Sequence, residues 1–491
     1  MKLKDLLADV EVRAFCGDEQ KEITSVAYDS RKVERGSLFV CIRGLSADGH
    51  DFIQNAIEKG AVAIVAEEAP EVSTDTSMIL VPDTRSALAA ISATWFRYPA
   101  RKMTLMGLTG TKGKTTTAVM IKRILEKSGY KTGMIGTLGA FIGDEKIEFN
   151  KNTPTTPEAY ELHSLFADML RAGCQYVVME VSSQGLKQKR TEGIMFDYSA
   201  FLNISPDHIG KGEHENFEEY LECKKMLFSQ SRYTVANIDD SRWKEVTENA
   251  LNLVTVSVGK EADYMGEKVE NLWEPGVLGA SFRISGRMQG EIVLNMPGRF
   301  NVENALVAAA MTSLAGAAPM CIKAALKEVT VKGRMQVLPG VSEHAVFLID
   351  YAHNALSMES LLQTLKNYHP VRLICLFGGG GNRPRQRRLD MGRIAGQYAD
   401  MTIITMDNPR YESMDQINED ILEGLKVYDG AYKIIKDREE AIKYLIDNCA
   451  EGDIVALIGK GHEEYQEIEG VKYHFSEEEI VREYVKQKSE R

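Results

Sequence analysis

Met103-Thr-Leu-Met-Gly-Leu-Thr-Gly-Thr-Lys-Gly-Lys-Thr-Thr-Thr117 decides how the rest of the chain is read. Leu105, Met106 and Leu108 make a short apolar run that predicts a buried strand. Gly110, Thr111, Lys112 and Gly113 form a tight turn. Lys114, Thr115 and Thr116 then open a helical pattern with Val119, Met120, Ile121, Ile124 and Leu125 on one face. Strand, glycine turn and helix together present bare backbone N–H groups and a helix N-terminus to an anion. In such a cradle Lys114 reaches the terminal phosphates and the Thr115 hydroxyl ligates Mg²⁺, so the stretch predicts ATP binding. The strict P-loop spacing puts a glycine five residues before Gly113; Leu108 stands there, so Gly-Thr-Lys-Gly-Lys-Thr is a variant form. The plainer alternative is a flexible glycine and threonine turn ahead of a helix.

A chain of 491 residues is too long for one ordinary core, and about three domains are expected on length. Hydrophobic content of 44% and charged content of 26% describe a soluble globular protein. No apolar run is long enough to span a bilayer, and Met1-Lys-Leu-Lys-Asp-Leu-Leu lacks a signal-peptide core. A net charge of −12 argues against nucleic acid as a partner. Cys16, Cys41, Cys174, Cys223, Cys321, Cys375 and Cys449 are scattered without paired spacing, which reads as reduced thiols in a cytoplasmic protein.

Residues 1–100 alternate short strands (Ile23 to Tyr28, Ser37 to Cys41, Ala61 to Ala66, Met78 to Val81) with helical stretches. They predict a small α/β domain whose strand ends carry Asp29-Ser30-Arg31 and the loop Gly44 to His50. A second domain, 101–332, begins at the phosphate cradle and includes the hydroxyl-rich loop Thr153-Pro-Thr-Thr-Pro157. Tyr176 to Met179 predicts a strand delivering Glu180 and Ser182-Ser183, and Tyr198 to Asn203 another delivering Asp207 and His208 to the same edge. An acid and an imidazole at neighbouring strand ends suggest a second metal-binding corner; the alternative is a capping Glu and a loop His. Phe217 to Phe228 is an amphipathic helix carrying Lys224 and Lys225, and Asn301 and Asn304 share a face of an alanine-rich helix, to meet a nucleoside or merely to cap. Past the hinge Lys332-Gly333-Arg334, residues 333–491 repeat the α/β rhythm. Their strands Val346 to Asp350, Leu373 to Phe377, Met401 to Thr405 and Ile454 to Ile458 bring four polar ends toward one crevice.

Together these motifs resemble the Mur ligase family, the ATP-dependent amide-bond formers of peptidoglycan precursor synthesis. The resemblance covers essentially the whole chain. It rests on Asp29-Ser30-Arg31, Gly110 to Thr116, Thr155-Thr156-Pro157, Glu180-Val-Ser182, Asp207-His208, Tyr220 to Phe228, Gly298 to Asn304, Gly333-Arg334, Asp350-Tyr-Ala-His353, Asp407-Asn-Pro-Arg410 and Gly459 to Glu463. It implies three α/β domains: an N-terminal uridine-nucleotide domain, a central P-loop ATPase with a parallel sheet, and a C-terminal Rossmann-like domain that receives an amino acid. By the same resemblance Ser30, Thr155, Thr156, Ser182, Gln188 and Arg190 hold a UDP-muramoyl-dipeptide. Glu180 and His208 ligate a second Mg²⁺, and Asn301, Asn304, Arg334 and Asp350 lie with ATP. Lys224 matches the family's carbamylated lysine, where CO₂ converts a cation into a metal-ligating anion; a helix lysine is otherwise a solvated side chain.

The implied reaction is phosphorylation of the D-glutamate carboxylate by ATP, followed by attack of an amine on the acyl phosphate. Lys114, Glu180, His208 and Lys224 are the expected catalytic set, with domain closure keeping water out. Asp407-Asn408-Pro409-Arg410 resembles the family form specific for meso-2,6-diaminopimelate. Arg410 and Arg388 would grip its distal carboxylate, and Gly459 and Glu463 would meet its distal amine. A lysine-adding relative, or a sibling ligase with another substrate, is the alternative. Gln184 stands where histidine is common, Ile209 to Asn216 is about two residues longer than the usual family loop, and Asn382 to Arg388 is arginine-rich. The resemblance further implies small-molecule partners only, no membrane insertion and a monomer.

Overall fold

The computed structural model describes residues 1–491 except 45, 46, 70–74, 208, 211, 275, 276 and 491. The chain divides into two compact units, Met1–Tyr264 with Val307–Ile322, and Met265–Leu306 with Lys323–Arg491. The class is α/β, as the sequence predicts, with three large sheets dominated by parallel pairs.

In the first unit, β1 (Ala14–Cys16), β2 (Ser25–Ala27), β3 (Ser37–Val40), β4 (Ala63–Ala66) and β5 (Ser77–Leu80) form a sheet in the order β1-β5-β4-β3-β2. All its pairs are parallel except β1 with β5. Ser37-Leu-Phe-Val40 and Ala63-Ile-Val-Ala66 are buried throughout, the continuous burial that parallel strands covered on both faces require. The following helix Thr84–Trp95 starts where the Asp83 carboxylate accepts the Arg85 and Ser86 N–H groups.

The same unit carries β6 (Thr104–Thr109), β7 (Thr132–Gly136), β8 (Gly139–Ile142), β9 (Glu145–Ile147), β10 (Tyr176–Glu180), β11 (Phe196–Phe201), β12 (Ser231–Asn237) and β13 (Leu253–Val258). Their order is β13-β12-β11-β6-β10-β7-β8-β9, parallel from β13 to β7 and then antiparallel to β9. The strand before the glycine turn, β6, is thus central, with β10 on one side and β11 on the other. The order reverses there, and in open α/β sheets that is where ligands sit, at the carboxyl ends. Leu108 pairs with Glu180 and Thr109 with Phe201, so three loops leave the sheet side by side. The end of helix Arg299–Leu314 closes on this unit, where Tyr176 and Tyr198 donate their hydroxyls to the Ala315 and Leu314 carbonyls.

The second unit holds β14 (Tyr264–Glu274), β15 (Val277–Gly286) and β16 (Gly290–Leu294), neighbours in that order, with β15 and β16 antiparallel. It also holds a sheet of β17 (Gln336–Leu338), β18 (Val346–Asp350), β19 (Arg372–Phe377), β20 (Met401–Ile404), β21 (Tyr432–Ile434) and β22 (Asp453–Ile458). Its order is β17-β18-β22-β19-β20-β21, parallel but for β17. A hairpin, β23 (Tyr465–Ile468) and β24 (Val471–His474), stands beyond it. At the predicted hinge, Gly333 has φ +66°, and a Cβ there would lie 2.2 Å from the His462 nitrogen, so no side chain fits.

Candidate active site

The first centre is built at the carboxyl end of β6. Gly113 takes φ +87° and opens the helix Lys114–Lys127 with no side-chain cap, leaving its first N–H groups facing the loop. A Cβ on Gly110 would fall 2.9 Å from Leu202 Cβ, so the turn presses against the chain leaving β11. Asn203 pins it there, accepting the Lys112 N–H at 2.9 Å and donating to the Lys112 carbonyl at 3.2 Å. Thr111 Oγ1 lies 3.0 Å from Tyr220 Oη and accepts the Ser205 N–H at 3.0 Å. Lys114 folds back over the turn, its Nζ donating to the Gly110 carbonyl at 2.7 Å.

Glu180 and Lys224 both meet this turn, one through Thr115 and the other through Gly110. Glu180, at the end of β10, is 2% exposed. Its carboxylate accepts Thr115 Oγ1 at 3.0 Å on each oxygen, the Thr137 N–H at 2.9 Å and Thr137 Oγ1 at 3.1 Å. Among the described residues it has no ion-pair partner. A buried carboxylate beside a hydroxyl, both oxygen donors, is the set a hard divalent cation takes, so these residues fit Mg²⁺. No group of three or more His, Cys, Asp or Glu side chains is arranged for a metal among the described residues, and His208 lies outside them.

Lys224 is not a solvated helix lysine. It is 1% exposed, donates from Nζ to the Gly110 carbonyl at 3.0 Å and stands 4.4 Å from the centre of the Tyr220 ring. Burial, reinforced by the neighbouring Lys114 cation, holds its ammonium well below the ordinary lysine range. Lys225, its neighbour, instead pairs with Glu222 and Glu248.

The hydroxyl-rich loop continues this edge. Thr156 Oγ1 donates to the Glu180 carbonyl and accepts the Ser182 N–H at 2.9 Å, while Thr155 Oγ1 lies 3.3 Å from Thr137 Oγ1. Ser182 caps its short helix by accepting the Gly185 N–H. Arg190 donates to the Thr156 carbonyl at 3.1 Å and sits 3.4 Å from Glu158. Gln188 ends the same short helix. Tyr28 Oη donates at 2.7 Å to Glu161, on the helix that follows this loop, which ties the end of β2, with Asp29 and Ser30 after it, to that helix.

In the second unit, Asp407, Asn408, Pro409 and Arg410 lie against the segment Gly459 to Glu467. Asn408 Nδ2 donates to Glu463 at 3.0 Å, and its Oδ1 accepts Lys460 Nζ at 2.8 Å and the Glu467 N–H at 2.9 Å. Gly459 has φ +112° and a Cβ there would lie 2.8 Å from Asp407 Oδ2. A Cβ on Gly381 would strike the Pro409 carbonyl at 1.8 Å, so the glycine run lets two loops touch. Arg410, at φ +52°, donates from Nη1 to the Gly381 carbonyl at 2.7 Å and from Nε to Glu467 at 3.2 Å. Arg388, expected beside it, is 4% exposed and its two guanidinium ends bind Asp420 and Glu412. It is engaged inside the protein, whereas among the described residues Arg410 shows partners only for Nε and Nη1 of its guanidinium. Asp350 accepts the Met335 and Ala352 N–H groups at 2.8 Å, and Arg334 lies 4.9 Å from the centre of the Tyr351 ring. Asn301 and Asn304 are buried, Asn301 donating to the Pro297 carbonyl and Asn304 to Asn301.

Thr137, Asn203, Tyr220, Lys460 and Glu467 take part although the sequence gives none of them a role. Tyr220 and Lys460 lie inside the stretches Tyr220 to Phe228 and Gly459 to Glu463 that carry the resemblance, while Thr137 and Glu467 have no signal of their own. No helix among the described residues is long and apolar enough to cross a membrane.

Residues 22–101 match the Mur ligase family catalytic domain, 108–312 the Mur ligase middle domain and 333–461 the Mur ligase glutamate ligase domain. The UDP-N-acetylmuramoyl-L-alanyl-D-glutamate--2,6-diaminopimelate ligase 1 of Clostridium acetobutylicum is 39% identical over 99% of this chain and 100% of its own length. The corresponding ligase of Clostridium perfringens is 38% identical over 98% and 99%. A solved structure titled as a UDP-N-acetylmuramoyl-L-alanyl-D-glutamate--2,6-diaminopimelate ligase superposes with a TM-score of 0.73 at 28% identity, covering 100% of this chain and 99% of that one. The chain belongs to the Mur ligase family.

Proposed function

We propose that this protein joins meso-2,6-diaminopimelate to the D-glutamate of UDP-N-acetylmuramoyl-L-alanyl-D-glutamate, at the expense of ATP, in peptidoglycan precursor synthesis. The observation that carries the reading is one cluster: a phosphate turn, Gly110 to Thr116, touched by the buried Glu180 through Thr115 and by the buried Lys224 through Gly110. Backbone N–H groups of the turn and Lys114 hold the triphosphate and balance charge on the phosphoryl group as it moves to the glutamate carboxylate. Thr155, Thr156, Ser182, Gln188 and Arg190 hold the muramoyl-dipeptide beside it, and Ser30 its uridine end. The diamino acid's amine then attacks the acyl phosphate, the new C–N bond forming as phosphate leaves.

Thr115, Glu180 and His208 would hold Mg²⁺, which supplies further charge neutralisation at the phosphates when bound. Lys224 adds to that set as a carbamate: a buried neutral amine is the nucleophile CO₂ needs, one proton being released as the anion forms. Arg410 grips the distal carboxylate of diaminopimelate, which lysine lacks, while Gly459 and Glu463 meet its distal amine. Asn301, Asn304, Arg334 and Asp350 serve the nucleotide. On this reading the enzyme works as a cytoplasmic monomer, and its product sustains cell shape and division.

The test is phosphate release from ATP by the purified protein. Release is expected only with both UDP-N-acetylmuramoyl-L-alanyl-D-glutamate and a diamino acid present, and faster with meso-diaminopimelate than with L-lysine. Faster turnover with lysine overturns the specificity and leaves the ligase reaction standing. Replacing Lys224 by Ala is expected to abolish activity and short-chain carboxylates to restore part of it; full activity without Lys224 counts against the carbamate.

A further inference from the structure

Lys460 sits between Gly459 and Gly461, at the end of β22, with none of its surface exposed. Its Nζ donates to Asn408 Oδ1 at 2.8 Å, to Glu463 Oε2 at 3.3 Å and to the Tyr465 carbonyl, and lies 3.9 Å from Asp407 Oδ1. One ammonium thus joins the loop after β20 to the base of the hairpin β23–β24. The hairpin in turn fixes Arg410. The Glu467 carboxylate accepts its Nε, the Arg410 N–H donates to the Glu467 carbonyl at 3.1 Å, and the Glu469 N–H donates to the Arg410 carbonyl at 2.8 Å.

From this geometry we infer that Lys460 is a positioning residue for amino-acid selection: it sets Asn408 and Glu463 directly and Arg410 through the hairpin, without itself touching substrate. The inference rests on the diaminopimelate reading above. Two carboxylates, Asp407 and Glu463, and the neutral amide oxygen of Asn408 converge on one buried cation. Without it the Asp407 and Glu463 carboxylates lose the cation they share, and the loops part. Arg410, whose backbone is left-handed, is held among the described residues by Gly381 and by the hairpin residues Glu467 and Glu469, so a shift of the hairpin moves it. A shift of about an ångström at such a clamp is worth on the order of a hundredfold in rate.

The experiment measures KM for each substrate in the full-length protein. Lys460→Met is expected to raise KM for meso-diaminopimelate about tenfold or more and to narrow its preference over L-lysine, while KM for ATP and for the UDP-dipeptide stays within about twofold. Lys460→Arg, which retains the charge, covers the case in which the Met variant does not fold, and is expected to show a smaller rise confined to the same substrate. An unchanged KM for diaminopimelate, or equal rises for all three substrates, overturns the inference. A wild-type protein that releases phosphate with neither diamino acid instead overturns the reading on which it rests.

Discussion

Among the described residues Glu180 is a buried anion with no ion-pair partner, held by Thr115 and Thr137. Such a group costs stability and is kept for what it binds. Glu180→Gln keeps one oxygen to accept the Thr137 N–H and Thr115 Oγ1, and its amide N–H can donate to the Thr137 hydroxyl, so it is expected to match or exceed the wild-type melting temperature while lowering kcat by about a hundredfold or more. Mg²⁺ is expected to raise the melting temperature of the wild type and not of this variant; a shared rise would remove Glu180 from the metal. Gly136 gives an independent handle, since a Cβ there would fall 2.2 Å from Glu180 Oε1. Gly136→Ala is therefore expected to impair ADP formation with the fold intact, as circular dichroism would show. At this scale the phosphate turn was legible because its whole chemistry lies in seven consecutive residues. Gly136, Thr137 and Asn203 were not, because each acts on a partner far away in sequence, and Tyr220 lay in a marked stretch whose contact with Thr111 only the fold reveals. Arg388 carried the right residue type, and only the fold reveals that Asp420 and Glu412 already engage it.

The helix Ala159–Arg171 holds a titratable group in its apolar face. His163 is 2% exposed, neither ring nitrogen has a hydrogen-bond partner among the described residues, and burial pushes its imidazole down to about 4 from an ordinary 6.5. Between those values the folded protein binds fewer protons than the unfolded chain, so stability rises with pH across the window and is lost as pH falls. The whole effect amounts to roughly 3 kcal/mol. Urea melts at pH 7 and pH 4 are expected to show that loss in the wild type and much less of it in His163→Leu. Elements differ in how openly the sequence declares them. Val346–Asp350 was legible to the residue because a strand buried on both faces is a continuous apolar run. The β15–β16 hairpin was missed because one face is open, which breaks the run into alternating exposed and buried positions.

Across the whole molecule the order of the motifs made the α/β class and the family legible, because each motif is local and the set is ordered. The path of the chain between the two units was not, since it depends on what packs where. The chain leaves the first unit after Tyr264 and returns with Val307–Ile322, bringing the fully buried Val307 and Met311. At about 2 kcal/mol for each such side chain, plus the tyrosine bonds to Leu314 and Ala315, that return is a large share of a marginal stability. A fragment ending at residue 264 is expected to bind the apolar dye ANS and to melt below the full chain, and extension to residue 322 is expected to reduce the dye signal.

The same return sets a clock during synthesis. Glu180, Lys224 and the phosphate turn have all left the ribosome long before residue 322 is made, yet the unit that carries them cannot be complete until then. A nascent chain stalled in the β14–β16 segment would therefore present an unfinished nucleotide cradle to the cell's chaperones.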